Sequence, residues 1–234
     1  MKVLLASTVG LAIASGSALA ADMPIKAPMA PLPVFSWTGL YLGIEGGWGF
    51  GREDYTDNST VGNPPGLAIS QRPNGGIFGG VLGYRYQTGQ FVFGAEGTAA
   101  WADLTGSFIP GPRITDSFKV RSLYTATGQA GWAFNQALLY VKGGWAGASS
   151  DTSINSGRNF ANQNQNDSGW TVGVGLDYAA WRNLVLGVEY DHFDLGYAAF
   201  TAPGTLAGTY VVTNPTRLTI EQFVGRVTYK FNLP

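Results

Sequence analysis

Few side chains in this chain of 234 residues could carry chemistry. The sole histidine, His192, stands two residues after Tyr190 and directly after Asp191. A nucleophilic triad would also need a serine and an orienting acid, and the sequence fixes no serine near His192. The expected role of His192 is therefore that of a girdle residue or one at the base of a loop. Glu189 and Asp191 could form a paired-carboxylate acid/base site. Two residues apart on a strand they share one face, and salt bridging to neighbouring strands is the simpler expectation. Glycine runs at Gly47-Trp-Gly-Phe-Gly51, Gly75-Gly76 to Gly79-Gly80 and Gly143-Gly144 invite a phosphate-loop reading, but no Gly-Lys-Ser/Thr follows them. The chain has no cysteine, which excludes thiolate metal sites and disulfides. No catalytic residue, metal ligand or cofactor site is expected.

What remains is a set of nine ionisable residues, Glu45, Arg85, Glu96, Lys142, Asp177, Glu189, Asp191, Arg226 and Lys230. Each lies within a stretch of alternating polarity. The last stretch shows the plan best: Phe223, Gly225, Val227, Tyr229 and Phe231 alternate with Gln222, Val224, Arg226, Thr228 and Lys230. A period of two is that of a β-strand with one greasy and one polar face. Phe223 and Phe231 are about 26 Å apart along such a strand, or about 20 Å vertically at a tilt near 40°.

The pattern recurs over residues 38–50, 76–86, 91–101, 118–134, 138–148, 170–180, 184–193 and 221–231. The fourth of these sets Val120, Tyr124, Ala126 and Trp132 against Lys119, Arg121, Thr125 and Gln129. Connections alternate in length. Residues 87–90, 135–136 and 180–183 are tight turns, whereas 53–73, 103–117, 149–168 and 196–219 are long. The third long segment is almost wholly polar and reads as a solvated, mobile loop. Gly66-Leu-Ala-Ile69 and Tyr210-Val-Val212 could extend strands beyond the barrel. An eight-stranded antiparallel barrel follows, with short turns and both chain ends on one side and four long loops on the other.

Alternation alone fits a soluble lipocalin-like barrel equally well. Aromatic placement separates the two. Trp48, Phe78, Trp101, Tyr124, Trp145, Trp170, Tyr190 and Phe223 form a ring at the long-loop end. Tyr86, Phe93, Trp132, Tyr178, Tyr229 and Phe231 form another at the short-turn end. Two interfacial girdles are what a bilayer requires. The greasy face then meets lipid, and the nine ionisable residues line the lumen, five acids against four bases, as a mutually neutralising network. Arg52, Asp103, Asp194 and Glu221 share the greasy parity only at strand ends, where a charge costs about 0–1 kcal/mol. At 45% hydrophobic, 13% aromatic and only 12% charged, the composition suits such a barrel, and the net charge of -1 gives no reason to expect nucleic acid.

Residues 1–20 read as a cleaved secretory signal: Lys2, an apolar run from Val3, then Ala18-Leu-Ala20 before Ala21. Residues 21–36, with Pro24, Pro28, Pro31 and Pro33, read as a periplasmic leader. Residues 37–234 form the barrel domain.

The signal, the Pro-rich leader before Trp37-Thr-Gly-Leu-Tyr-Leu-Gly, the 76–86 repeat and the closing Gly225-Arg-Val-Thr-Tyr-Lys-Phe231 together resemble the small outer-membrane immunogenic proteins of alphaproteobacteria (the RopB type). That family is similar to the OmpA-like eight-stranded membrane domain. The resemblance implies location in the bacterial outer membrane and delivery by the barrel-assembly machinery, which reads an aromatic-ended last strand. Here Asn232-Leu-Pro234 follows Phe231. Outer-membrane lipid and lipopolysaccharide are the other expected partners. The implied role is structural and non-enzymatic, with surface loops on display. Alternatives are a surface binding module for haem or a host receptor, and a small-solute channel.

Overall fold

The computed structural model describes residues 35–57, 67–111, 114–155, 160–199 and 215–231. The signal, residues 21–34 of the leader, Tyr210-Val-Val212 and Asn232-Leu-Pro234 lie outside them. Nine strands follow in order: β1 (Gly39–Asp57), β2 (Leu67–Gln71), β3 (Asn74–Thr88), β4 (Phe91–Gly111), β5 (Ile114–Phe134), β6 (Ala137–Asn155), β7 (Phe160–Ala179), β8 (Leu184–Ala199) and β9 (Pro215–Phe231). All neighbours pair antiparallel, and β9 closes on β1 from Leu40↔Phe231 to Asp54↔Arg217. β2 and β3 occupy one position in the wall, since β2 pairs with the upper part of β1 and β3 with the lower. Pro73 separates them, and its carbonyl accepts a hydrogen bond from Gly51 N at 2.6 Å. The wall is thus a closed eight-stranded barrel where β3 bridges β1 and β4, whereas beyond Thr105 β2 pairs with β1 and the end of β4 with β5, without a ladder between them among the described residues.

The tight turns fall where expected, with Gly89 (φ 60°) and Asn135 (φ 53°) in the left-handed conformation that such turns use. At the other end the strands run further than their alternation predicts. Residues 149–155 and 160–168, expected as a mobile loop, continue β6 and β7 as a paired ladder up to Asn155↔Phe160. Above a membrane both faces of a ladder can be polar, so greasy alternation ends before the strand does. Residues 67–71 extend the sheet as anticipated.

The side assignment is unambiguous. Leu42, Val174 and Val227 face outward at 52%, 43% and 41% exposure, whereas Glu45, Glu96 and Arg226 are 3–4% exposed in the lumen. Beyond the long-loop aromatic ring, however, the pattern inverts. Leu104, Phe118, Val120, Leu195, Leu218 and Ile220 point inward as one buried apolar cluster. On the outside at that level stand Asp103 with Lys119 (2.7 Å), Arg121 with Asp151, and Arg217 with Asp194 (2.7 Å). Lys119 and Arg121 are therefore outward, contrary to the sequence reading. A register shift between Val120 and Ser122 flips the parity of β5 there. Within the lipid span, oil faces out; above it water lies outside, and the interior becomes an ordinary hydrophobic core.

Candidate functional site

The lumen is filled in layers. Its central belt joins Glu45 of β1, Glu96 of β4, Lys142 of β6, Glu189 and Asp191 of β8, and Arg226 of β9, all buried. Glu96 accepts hydrogen bonds from Tyr41 Oη (2.8 Å), Lys142 Nζ (3.4 Å) and Arg226 Nη2. Glu189 accepts a matching set from Tyr140 Oη (2.6 Å), Lys142 Nζ (2.5 Å) and Arg226 Nη1. Two cations and two phenols thus converge on two carboxylates. Asp191 sits 3.2 Å from Lys142 and accepts from Gln222 Nε2 at 3.3 Å. Glu45 Oε2 lies 3.8 Å from Arg226 Nε.

Toward the short turns, Arg85 donates to Asp177 (2.7 Å) and Gln129 (3.1 Å). Its guanidinium lies 4.6 Å from the Tyr41 ring centre and 5.0 Å from that of Tyr140. The two tyrosines thereby couple this pair to the belt above. Below it Trp37, 2% exposed, closes the end of the barrel with Val92, Leu138 and Val185. Trp37 N donates to Gln87 Oε1 (2.8 Å), and Gln87 N donates to Thr38 Oγ1 (2.9 Å). The apolar cluster of the long-loop end forms the other lid.

Inward glycines make room for these groups. A Cβ on Gly83 would collide with the Tyr41 ring, and one on Gly175 with that of Tyr140. Gly173 and Gly187 likewise lie under Asp191 and Asp177. The glycine runs lie within β1, β3 and β6 rather than in a loop before a helix, and their inward members Gly49, Gly75 and Gly79 leave no room for a Cβ.

All nine predicted lumen residues are buried. Eight form the network, whereas Lys230 stands apart. Its ammonium donates to the Ser36 (2.5 Å) and Thr38 (3.3 Å) carbonyls and lies 4.9 Å from the Phe35 ring centre. With Lys230 at the mouth and Arg85 committed to Asp177, the central belt holds four acids and two bases, not the near balance expected. Sequence reasoning missed Trp37, Tyr41, Tyr140, Gln129 and Gln222. The two tyrosines gave a signal, since they are aromatic on the charged parity.

The girdle aromatics all face outward, Tyr190 half-buried against Phe223 at 4.7 Å between ring centres. His192 also faces outward, near the long-loop ring. Its Nδ1 lies 2.7 Å from Glu221 Oε1, Tyr190 Oη donates to Glu221 Oε2 at 2.5 Å, and the imidazole lies 5.6 Å from the Trp170 ring centre. No serine takes part in these contacts.

Comparison with known proteins agrees with this architecture. Residues 8–231 match the family described as "Outer membrane protein beta-barrel domain". The chain is similar to the 25 kDa outer-membrane immunogenic protein of Brucella melitensis biotype 1, at 28% identity over 93% of this chain and 92% of that one. It is also similar to the 31 kDa outer-membrane immunogenic protein of the same organism, at 32% identity over 77% and 82%. Among solved structures it shares its fold with the outer membrane protein OprG from Pseudomonas aeruginosa, with a TM-score of 0.53 and 15% identity over 84% of this chain and 97% of that one. A closed eight-stranded wall, oily where lipid would lie and charged within, places the chain in the outer-membrane β-barrel family, and the protein resides in the bacterial outer membrane.

Proposed function

We propose that the protein is a non-enzymatic structural barrel that supports envelope integrity, with its lumen plugged by the charged belt and its long-loop end displayed at the cell surface. The observation that carries this reading is the stacked filling of the lumen. An apolar lid, a belt of ion pairs, the Arg85–Asp177 pair and the Trp37 floor follow one another along the axis. Eight strands enclose only enough space for side chains to fill. Planar-bilayer recording of the pure protein tests the plug: no steady current is expected, and large, stable open-pore currents would overturn it. Cells lacking the protein should become more sensitive to detergents, and loss of the protein without such an effect would count against an envelope role.

A second reading, surface binding through the long-loop end, draws on the projecting hairpins. The β6–β7 ladder continues ten residues past the Trp145↔Trp170 pair, about 33 Å of strand. The relatives named immunogenic support display of that end to antibodies. Proteolysis of intact cells should cut there first. Binding of a haem or host-receptor ligand that survives deletion of residues 196–219 would argue against recognition by that loop.

A further inference from the structure

Beyond the long-loop ring the outer wall carries Arg52, Arg72, Lys119, Arg121 and Arg217. Four of these take a carboxylate: Arg52 that of Asp54 (2.8 Å), Lys119 that of Asp103, Arg121 that of Asp151 and Arg217 that of Asp194. Arg72 has no carboxylate partner among the described residues. The backbone sets it opposite Arg52. Gly51 N donates to Pro73 O, and β1 keeps one register on both sides of Pro73, from Phe50↔Asn74 to Glu53↔Gln71. Since Gly51 and Pro73 share a backbone hydrogen bond, Arg52 and Arg72 form the next, non-hydrogen-bonded pair, the kind whose side chains stand closest. Pro73 also confines Arg72 to an extended backbone. Both arginines are exposed, whereas Gly51, Gln71 and Pro73 between them are buried. Like charges directly opposite one another destabilise a sheet, and the acids nearby are already engaged. Asp54 holds Arg52, accepts from Ser70 and stands in register with Arg217, while Glu221 takes His192 and Tyr190. Three guanidiniums thus share two carboxylates, Asp54 and Asp194. The Asp54 contact uses only Nε of Arg52, which leaves its two terminal nitrogens for another acceptor. Just below the pair Phe50 and Asn74 face each other, and Trp48 and Phe78 follow lower on the oily wall, all exposed.

We propose that Arg52 and Arg72 form a binding site for the phosphate of an outer-leaflet lipid, which sits between the two guanidiniums with its acyl chains along Phe50, Trp48 and Phe78. A guanidinium presents paired N–H donors that match phosphate oxygens, and two of them side by side can grip one phosphate from both flanks. The phosphate removes the repulsion that the facing arginines create. A lipid fits better than a free anion because the pair stands at the border of the oily wall, with aromatics of the interfacial kind directly beneath it. The site lies on the outside of the barrel and does not depend on a closed lumen. It rests on the reading that the long-loop end faces the cell exterior, which proteolysis of intact cells tests separately.

The test uses the full mature chain folded in detergent micelles and titrated with bisphosphorylated lipid A, or with the same lipid stripped of its phosphates. Native mass spectrometry counts the lipid bound per barrel. The phosphorylated form should bind and the stripped form should bind much more weakly. Arg52→Gln and Arg72→Gln should each weaken binding about fivefold, the worth of one arginine beside an anionic bilayer surface. Lys119→Gln, on the outer wall of β5 and held by its own carboxylate, should leave binding unchanged. All three side chains lie on the surface, and heat-modifiable gel mobility reports whether each variant is folded. Equal binding of the two lipids, or undiminished binding by folded Arg72→Gln, would overturn the proposal. So would displacement of the lipid by millimolar inorganic phosphate, since the site would then be one for a free anion.

Discussion

Arg226 and Glu96 join across the lumen from β9 and β4, strands that share no backbone hydrogen bonds, and lie 130 residues apart in sequence. The same guanidinium reaches Glu189 on β8. Such a contact is a spoke rather than a rung, and it ties opposite walls that the sheet ladder cannot connect.

Removing that spoke should be severe. Arg226→Met leaves Glu96 and Glu189 with one cation between them, and breaking a buried pair on one side costs about 3–5 kcal/mol. The urea midpoint of the refolded barrel measures it. Replacing Glu96 as well, by Gln, should recover part of the loss, because the uncompensated charge goes with it.

Glycine at 175 is expected to be required by volume. A Cβ there meets the Tyr140 ring, so Gly175→Ala should cost about 1–3 kcal/mol by overpacking. In combination with Tyr140→Leu the two effects should be less than additive, since the clash is shared. Additive losses in a double-mutant cycle would refute the packing account.

The floor of the barrel offers a third test. Trp37→Ala empties a buried site at the short-turn end and should cost about 3–5 kcal/mol. Proteolysis at the 87–90 turn should then accelerate, because without the indole to hold it in place the backbone N–H of residue 37 is a looser anchor for Gln87.

Lipid exposure can be mapped by one substitution at two heights. Val174→Arg, in the middle of the outward face, should destabilise the folded protein in liposomes by about 2–4 kcal/mol. Ser168→Arg, beyond the long-loop ring, should cost about 0–1 kcal/mol. Equal penalties at both positions would mean that the aromatic rings do not mark the bilayer boundaries.

The period-two pattern made the wall legible because every residue in the lipid span must choose between oil and lumen. Once the two aromatic rings assign the greasy face to lipid, parity places Glu45, Glu96 and Arg226 inside and Leu42, Val174 and Val227 outside. Parity fails where its physical cause stops. Above the outer ring, residues 149–155 and 160–168 pair as strands without any greasy face, and they looked like loop. At Val120 a bulge transfers Lys119 and Arg121 to the other side, and nothing local in the sequence announces it. The pairing within the lumen was equally hidden, because which acid meets which base depends on the register of strands far apart in sequence. Lys230 illustrates this: it shares the inward parity of Arg226 but sits at the mouth, where carbonyl oxygens accept its hydrogen bonds.

The inversion of polarity at the long-loop ring also fixes how deep the barrel sits. Sliding toward the short-turn side by a turn or so of the pleat would draw Lys119, Arg121 and Arg217 among the acyl chains, while sliding toward the long-loop side would lift Phe78, Trp101 and Val172 toward water. Both displacements are opposed, so the molecule carries its own waterline. In a bilayer of the wrong thickness it is the lipid that must stretch or thin around the protein.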